Sequence, residues 1–489
     1  MSTLRIGGLA SGMDTQAIIE RILEVQARQI TKTQERRVEL ETNVAVWSNV
    51  SADVSLLTDS LFRLRSLNTW RQMDALSSQP TALSASASAS ADEATYSIAI
   101  GQLAQAHSVG SERWEPATDA LIDRVPGLVS GNTYTFRIGG AEGPLIEIEE
   151  GDTLQTLADK INAASETLEE ADAKMQATIV DHRLILTRQQ TGATELLLED
   201  VEGSPLEALG ILNGLGGWQN ELITAQDAEF TVNNAAVVRS SNTNVTDVIA
   251  GVTLNLLGET AMAATLTVRN NTETPMAAIN DFIANYNVVA EKIEAFSDVD
   301  LSDPDNPRAG PLQGDPLTWN ILQNMRRLAT RIQDELTEDN AAFSYGGQTG
   351  VANSLSALGI GMSGRTNRIA IQDESRLSYL LANEFDKVEQ VFRGVYDEEA
   401  GANVGGVART MYAYSDNVSS PMTGEIARRV NAIQDRIGNT DETIERLLRN
   451  LEAYERRLWA QFAAMEQAMA RMQQETEWLN QQLGMNNRQ

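Results

Sequence analysis

A chain of 489 residues carrying 68 acidic against 38 basic side chains, a formal net charge of −30, has no sequence-independent attraction for phosphate, which argues against nucleic acid and anionic membrane as partners. The complete lack of cysteine excludes disulfide frameworks, redox pairs and thiolate metal sites. At this length about three or four domains are expected rather than one.

The opening stretch from Met1 to Gly12 has neither the basic segment nor the long apolar core of a secretory signal. Nowhere do apolar residues run to the roughly 20 that span a bilayer, so neither a cleaved leader nor a membrane anchor is expected. Ile18, Ile22 and Val25 form an amphipathic stretch, and Trp47, Val50, Val54, Leu57, Leu61 and Leu64 keep a helical three-four rhythm, so the N-terminal region is predicted to be helical. The run Ser84 to Ala91 alternates serine and alanine. It has no large side chains with which to build a core and suits a linker or an extended edge segment.

From Tyr96 to Val268 the pattern changes. Residues 96–100, 134–138, 145–148, 184–187, 230–232 and 266–268 are short runs rich in β-branched and aromatic residues and read as strands. Turn chemistry at residues 139–144, 181–183 and at Asn233-Asn234 supplies hairpin connections. One helix is embedded there, with Asp152 as its expected N-cap and Leu154, Leu157, Ala158 and Ile161 on its inner face.

Helical periodicity returns with Ile279, Phe282, Ile283, Tyr286, Val289, Ile293 and Phe296. A second helix opens with Asp315 as N-cap and Pro316 in its first turn, carrying Leu322, Met325, Ala329, Ile332 and Leu336. A strand pair is expected around 356–360 and 368–371, then a third helix with Leu377, Leu381, Phe385, Val388 and Phe392.

The last segment carries the most information. Ile426, Val430, Ile433, Ile437, Thr440, Ile444, Leu447, Leu451, Tyr454, Leu458, Gln461, Met465, Ala468, Met472, Glu475 and Leu479 follow an a/d spacing that is apolar nearly throughout, the mark of a coiled-coil or long bundle helix. A continuous helix of that length would reach roughly 80 Å. Each apolar seam residue gains roughly 1.5–3 kcal/mol only once another helix covers it. The C-terminus is therefore expected to be a docking surface, with the N-terminal helix one candidate partner. Both helices could instead be ordinary core helices of one domain, although their length argues against that. Met465, Met469 and Met472 suit either a plain core face or a seam that accommodates non-equivalent partners.

Signals for chemistry are weak. Gly359 to Gly364 matches a dinucleotide-binding spacing formally, but the strand-like Arg368 to Ile371 follows where a helix N-terminus is required. The acidic loop Asp298, Asp300, Asp303, Asp305 places neither the glycine nor the terminal glutamate of a calcium loop. His107 and His182 sit in different segments, and no P-loop, HExxH or G-x-S-x-G pattern occurs. No catalysis, cofactor or metal is expected.

Several segments taken in order resemble the flagellar filament-capping, or hook-associated protein 2, family. They are Gly8-Leu9-Ala10-Ser11-Gly12-Met13-Asp14-Thr15, Tyr96 to His107, Ala228 to Asn233, Arg239 to Asn242, Gly251 to Leu254, Phe282 to Asn287, Leu312 to Pro316 and Leu358 to Gly361. Residues 134–164 are similar to a module of flagellins and hook proteins. Gln29 stands where many relatives carry a proline.

The resemblance implies an α+β multidomain chain with terminal coiled-coil helices and a helical-bundle body holding a nested pair of β-rich domains. The expected division is 1–42 with 430–489 as the docking region, 43–72 with 273–429 as the helical body, 73–126 with 223–272 as the inner β-rich domain, and 127–222 as the outer one. It also implies a homo-oligomeric ring at the distal filament tip that promotes folding and insertion of exported flagellin and prevents its loss. Passage through the flagellar type III route without a cleaved signal peptide, an export chaperone, and terminal helices that stay disordered until they dock on the filament end are part of the same picture. The residues expected to make that docking are Ile18, Ile22, Val25, Ile444, Leu447, Leu451, Tyr454, Leu458, Met465, Met472 and Leu479. The alternative is an adhesin whose β-domains bind mucus or glycan, multimerised by its coiled coils.

Overall fold

The computed structural model describes residues 12–300 and 308–486. The opening motif as far as Ser11, and Asp303 and Asp305 of the acidic loop, lie outside the described residues. The chain divides into two compact units, one of residues 1–69 with 272–489 and one of residues 70–271. The α+β multidomain architecture and the β-rich excursion between helical ends agree with the sequence expectation.

The first unit is mainly helical, with small two-stranded sheets between its later helices. Its N-terminal helix, Thr15–Arg65, runs without a break through Gln29, with Asp14 as N-cap accepting a hydrogen bond from the Ala17 N–H. Arg63 and Arg65 in the last turn oppose the negative end of the helix dipole. The second half of this helix buries Trp47, Val50, Val54, Leu57, Leu61 and Leu64, packing on the helices Glu273–Ser297 and Val407–Ser419. Ile279, Phe282, Tyr286, Val289 and Ile293 close the core from the other side.

Two expectations need correcting here. The helix opened by Asp315 and Pro316 ends at Ala329, so Ile332 and Leu336 lie beyond it in the following loop, Ile332 exposed and Leu336 buried. The single helix expected through Leu377 and Phe392 is two, Glu374–Asn383 and Phe385–Arg393, broken at Glu384 where the backbone leaves helical geometry. The glycine segment after Leu358 is a turn entering the hairpin Ile360–Met362 with Ile369–Ile371.

The second unit is built on an eight-stranded antiparallel sheet. Its strands are β1 (Met73–Ser77), β2 (Leu83–Ala87), β3 (Ala94–Gln102), β11 (Ala228–Val232), β12 (Ala235–Arg239), β13 (Val245–Ile249), β14 (Val252–Leu256) and β15 (Ala264–Asn270), in the order β12-β11-β3-β15-β1-β2-β14-β13. Ile98, Ile100, Phe230, Leu254 and Leu266 are at its core. The Ser/Ala run, expected to be a linker or edge, supplies an interior strand: β2 pairs with β14 from Leu83 to Ala87 and also touches β1. Small side chains do not prevent strand pairing when both neighbours provide the backbone partners and Leu83 provides the burial.

Between β3 and β11 lies a second core. It combines the sheet β10-β4-β8-β7, where β4 is Ser108–Gly110, β7 Met175–Val180, β8 Arg183–Arg188 and β10 Glu221–Ile223, with the sheet β6-β5-β9, where β5 is Thr135–Ile138, β6 Leu145–Glu147 and β9 Leu198–Glu202. The helix Leu154–Glu166 packs on both through Leu154, Leu157 and Ile161. Val109, Leu121 and Val125 belong to this core. The outer domain therefore begins near His107 rather than at residue 127, because β4 pairs with β8 and not with the inner sheet.

Turns at Asp181-His182 and Asn233-Asn234 close two-residue hairpins, all four residues having positive φ, the geometry that suits strand twist. In the hairpin joining β5 to β6, a Cβ on Gly143 would lie 1.8 Å from the Ile138 carbonyl oxygen, which requires glycine there. The helix at 154 is capped by Thr153 rather than Asp152, in a reciprocal capping box with Thr156.

Candidate docking surface

The C-terminal helix, Glu425–Asn486, is covered by the N-terminal helix of the same chain. The two run antiparallel. Ser51 and Ala52 lie opposite Ile426 and Ala427, Arg37 donates to Asp441 at 2.5 Å, and Ile30 faces Leu447, Leu451 and Tyr454 around a concavity of about 360 Å³. Continuing that register brings Thr15, the first residue of the helix, level with the region around Met465.

Burial follows the expected a/d register along the C-terminal helix. Ile426, Ile433, Ile444 and Leu458 are buried, and Val430, Ile437, Leu447, Leu451, Tyr454 and Met465 are partly covered. Beyond Met465 the seam is open, with Met472 66%, Trp478 56% and Leu479 51% exposed.

On the N-terminal helix the phase differs by one residue from the expectation. Ile19 is the buried position, Ile18 and Ile22 flank it half-buried, and Val25 points outward at 61% exposure. The seam continues through Ile30, Thr33, Arg37 and Leu40. The expectation of two terminal helices with no partner in a lone subunit is corrected: the first halves of the two seams cover each other within one chain. What remains open is the overhang, and Trp478 adds to it an aromatic that lies off the a/d positions.

Asp315 ties this pair to the helical body. One carboxylate oxygen caps the helix Pro316–Ala329 through the Leu317 N–H at 3.1 Å. The other accepts from Arg429 Nε of the C-terminal helix at 2.8 Å and from the buried Trp47 indole N–H of the N-terminal helix at 3.3 Å. Sequence identified Asp315 only as a cap. Its second role depends on two residues more than a hundred positions away and had no local signal.

The β-rich unit holds both histidines of the chain. His107 is buried, accepts the Leu196 N–H on Nδ1 at 3.0 Å and lies against the Trp218 ring, with centroids 4.8 Å apart. His182 sits in a hairpin turn, where Nδ1 accepts the Ala117 N–H at 3.4 Å. Both act as structural acceptors. Among the described residues no group of three or more potential metal ligands converges, and no helix is long and apolar enough to cross a membrane.

Residues 225–474 match the family model described as Flagellar hook-associated protein 2 C-terminus, and residues 11–107 match the model described as Flagellar hook-associated protein 2 N-terminus. The flagellar hook-associated protein 2 of Halalkalibacterium halodurans is 24% identical over an alignment covering 95% of this chain and 97% of that protein. The A-type flagellar hook-associated protein 2 of Pseudomonas aeruginosa is 26% identical, covering 96% and 95%. The crystal structure of the D1-D2-D3 domains of the flagellar cap protein FliD from Escherichia coli superposes with a TM-score of 0.52 at 21% identity, covering 80% of this chain and 99% of that one, a likeness of fold. With one family model spanning more than half of its length, the chain belongs to the flagellar hook-associated protein 2 family.

Proposed function

We propose that this chain is a structural cap at the distal end of the bacterial flagellar filament, where it promotes folding and insertion of exported flagellin and prevents its loss. The observation that supports this best is the open overhang of the C-terminal helix. Roughly 30 Å of helix extends past the start of its intrachain partner, with Met472, Trp478 and Leu479 uncovered. Apolar surface of this kind gains free energy only against another chain, and a filament end supplies one.

In this account residues 1–42 and 430–489 dock on the filament tip, the helical body closes a homo-oligomeric ring, and the β-rich domains face outward. The partners are further copies of the chain, flagellin, and an export chaperone that shields the overhang before passage through the flagellar type III route. The adhesin alternative draws no support from the family, and no catalytic step is assigned.

Ending the chain at Ala464 tests the proposal. The shortened protein should fold with unchanged melting, because the paired part of the seam remains, yet cells carrying it should release unpolymerised flagellin into the medium. Normal filaments and normal swimming would refute the docking role.

A further inference from the structure

In the helical unit the end of the N-terminal helix, the helix Phe385–Arg393, the strand Ala402–Val404 and the first turn of the helix Val407–Ser419 meet around a concavity of about 360 Å³. Its lining is Phe62, Arg65, Ser66, Arg393, Asn403 and Arg409. Among the described residues three guanidinium groups and no carboxylate line it, in a chain of net charge −30.

The arginines are differently engaged. Arg393, its side chain 18% exposed, is paired with Glu389 and donates to the Arg65 carbonyl at 3.1 Å. Arg65 lies against aromatic rings, its guanidinium carbon 3.7 Å from the Tyr412 centroid and 5.1 Å from that of Phe62. Arg65 and Arg409 are both half-buried and have no carboxylate within ion-pair distance among the described residues. Glu389 offsets one of the three charges, so two positive charges are left facing the concavity. A guanidinium stacked on aromatic rings has already lost much of its rotamer freedom, and its free N–H groups form a planar fork matched to a carboxylate or a phosphate. The lining chooses between these. Phe62, 51% exposed, forms an apolar wall, which a phosphate ion leaves bare and a short carbon chain covers. A concavity of this size also suits a small organic group held by a few convergent polar side chains.

We infer that this depression is a binding site for a pair of carboxylates joined by a short carbon skeleton. One carboxylate sits on the fork of Arg65 and the other on that of Arg409, with the skeleton against Phe62. A free dicarboxylate presents this chemistry, and so do two adjacent acidic side chains of a peptide. The inference does not rest on the capping role, and its readout is the binding of a small ligand rather than the association of subunits.

The test is calorimetric titration of the full-length chain in chloride buffer at about 0.15 M ionic strength, where long-range repulsion by the net charge is screened. Succinate should bind one site per chain with a dissociation constant below about 1 mM, at least tenfold more tightly than acetate or inorganic phosphate. A Glu-Glu dipeptide blocked at both ends is the second arm, and whichever of the two binds more tightly names the source of the carboxylates. Arg409→Gln should weaken binding at least tenfold, and so should Arg409→Lys, which keeps the charge and loses the fork. Phe62→Ala, a change at an exposed side chain that leaves all three arginines in place, should weaken succinate binding and leave the thermal melt of the unliganded chain unchanged. Failure of both succinate and the dipeptide to bind, phosphate bound as tightly as succinate, or Arg409 variants that bind like the wild type would each overturn the inference.

Discussion

Asp152 shows how one side chain can be misassigned from sequence and still matter. It sits where an N-cap is expected, but the cap is Thr153, which leaves the Asp152 carboxylate to accept from Lys160 Nζ at 2.7 Å, the Glu149 N–H at 2.8 Å and the Thr156 hydroxyl at 2.9 Å. Burial opposes ionisation here, but the bonds from Lys160, Glu149 and Thr156 outweigh it and hold the carboxyl below its ordinary range. A lowered folded-state value stabilises the fold above the ordinary carboxylate pKa, and that stabilisation is lost as pH falls through the lowered value. Asp200, in the same domain, is pushed up, burial outweighing the Leu206 and Glu207 N–H bonds, so its contribution runs the other way, present in acid and lost as pH rises. Asp152→Asn separates the two. The variant should be less stable by about 1–3 kcal/mol at neutral pH, and in paired thermal melts the gap to the wild type should close in acid, once the pH has fallen through the lowered value of Asp152. A gap that is the same at both pH values would mean that packing, not the charge of Asp152, sets the loss.

The terminal helices show what a sequence discloses at the level of an element. The C-terminal seam was legible over more than fifty residues because an a/d pattern of that length fixes its own phase, and the buried positions Ile433, Ile444 and Leu458 fall on it. The N-terminal stretch was misphased because Ile18, Ile19, Ile22, Leu23 and Val25 cover nearly half the helix circumference. Its phase is set farther along, by positions that include Thr33 and Arg37, and Arg37 qualifies as a seam residue only through its bond to Asp441 on the partner helix. Likewise β2 was hidden because alternating serine and alanine carry no burial signal, and its place is set by the backbones of β14 and β1. The two parts of the C-terminal seam should respond differently to truncation of a side chain. Ile444→Ala, in the covered part, should cost about 2 kcal/mol and lower amide hydrogen-exchange protection along residues 15–44. Met472→Ala, in the overhang, should leave exchange unchanged while weakening binding to filament ends. Equal effects of the two on exchange would mean that the overhang is not free.

At the scale of the whole molecule the nested topology makes its own forecast. The inner sheet and the outer domain are joined by two strands that lie side by side, with the Gln105 N–H bonded to the Gln226 carbonyl at 2.9 Å, so the outer domain is an insertion whose ends meet. Replacing residues 107–224 by a short glycine-rich loop should leave the eight-stranded sheet folded, since loop closure over so short a gap is inexpensive. Cells with this variant should still grow filaments if capping depends on the helical unit, and should stop if the outer domain carries the function. Charge sets the second condition on assembly. Copies of net charge −30 repel one another, and at about 0.01 M ionic strength that repulsion reaches roughly 30 Å, against roughly 8 Å at 0.15 M. Apolar seams are indifferent to this screening, whereas ion pairs weaken with it. Ring formation by the purified protein, followed by light scattering, should therefore strengthen from low to moderate salt. Rings that dissociate as salt is added would place the assembly energy in charge pairs rather than in apolar contacts between subunits.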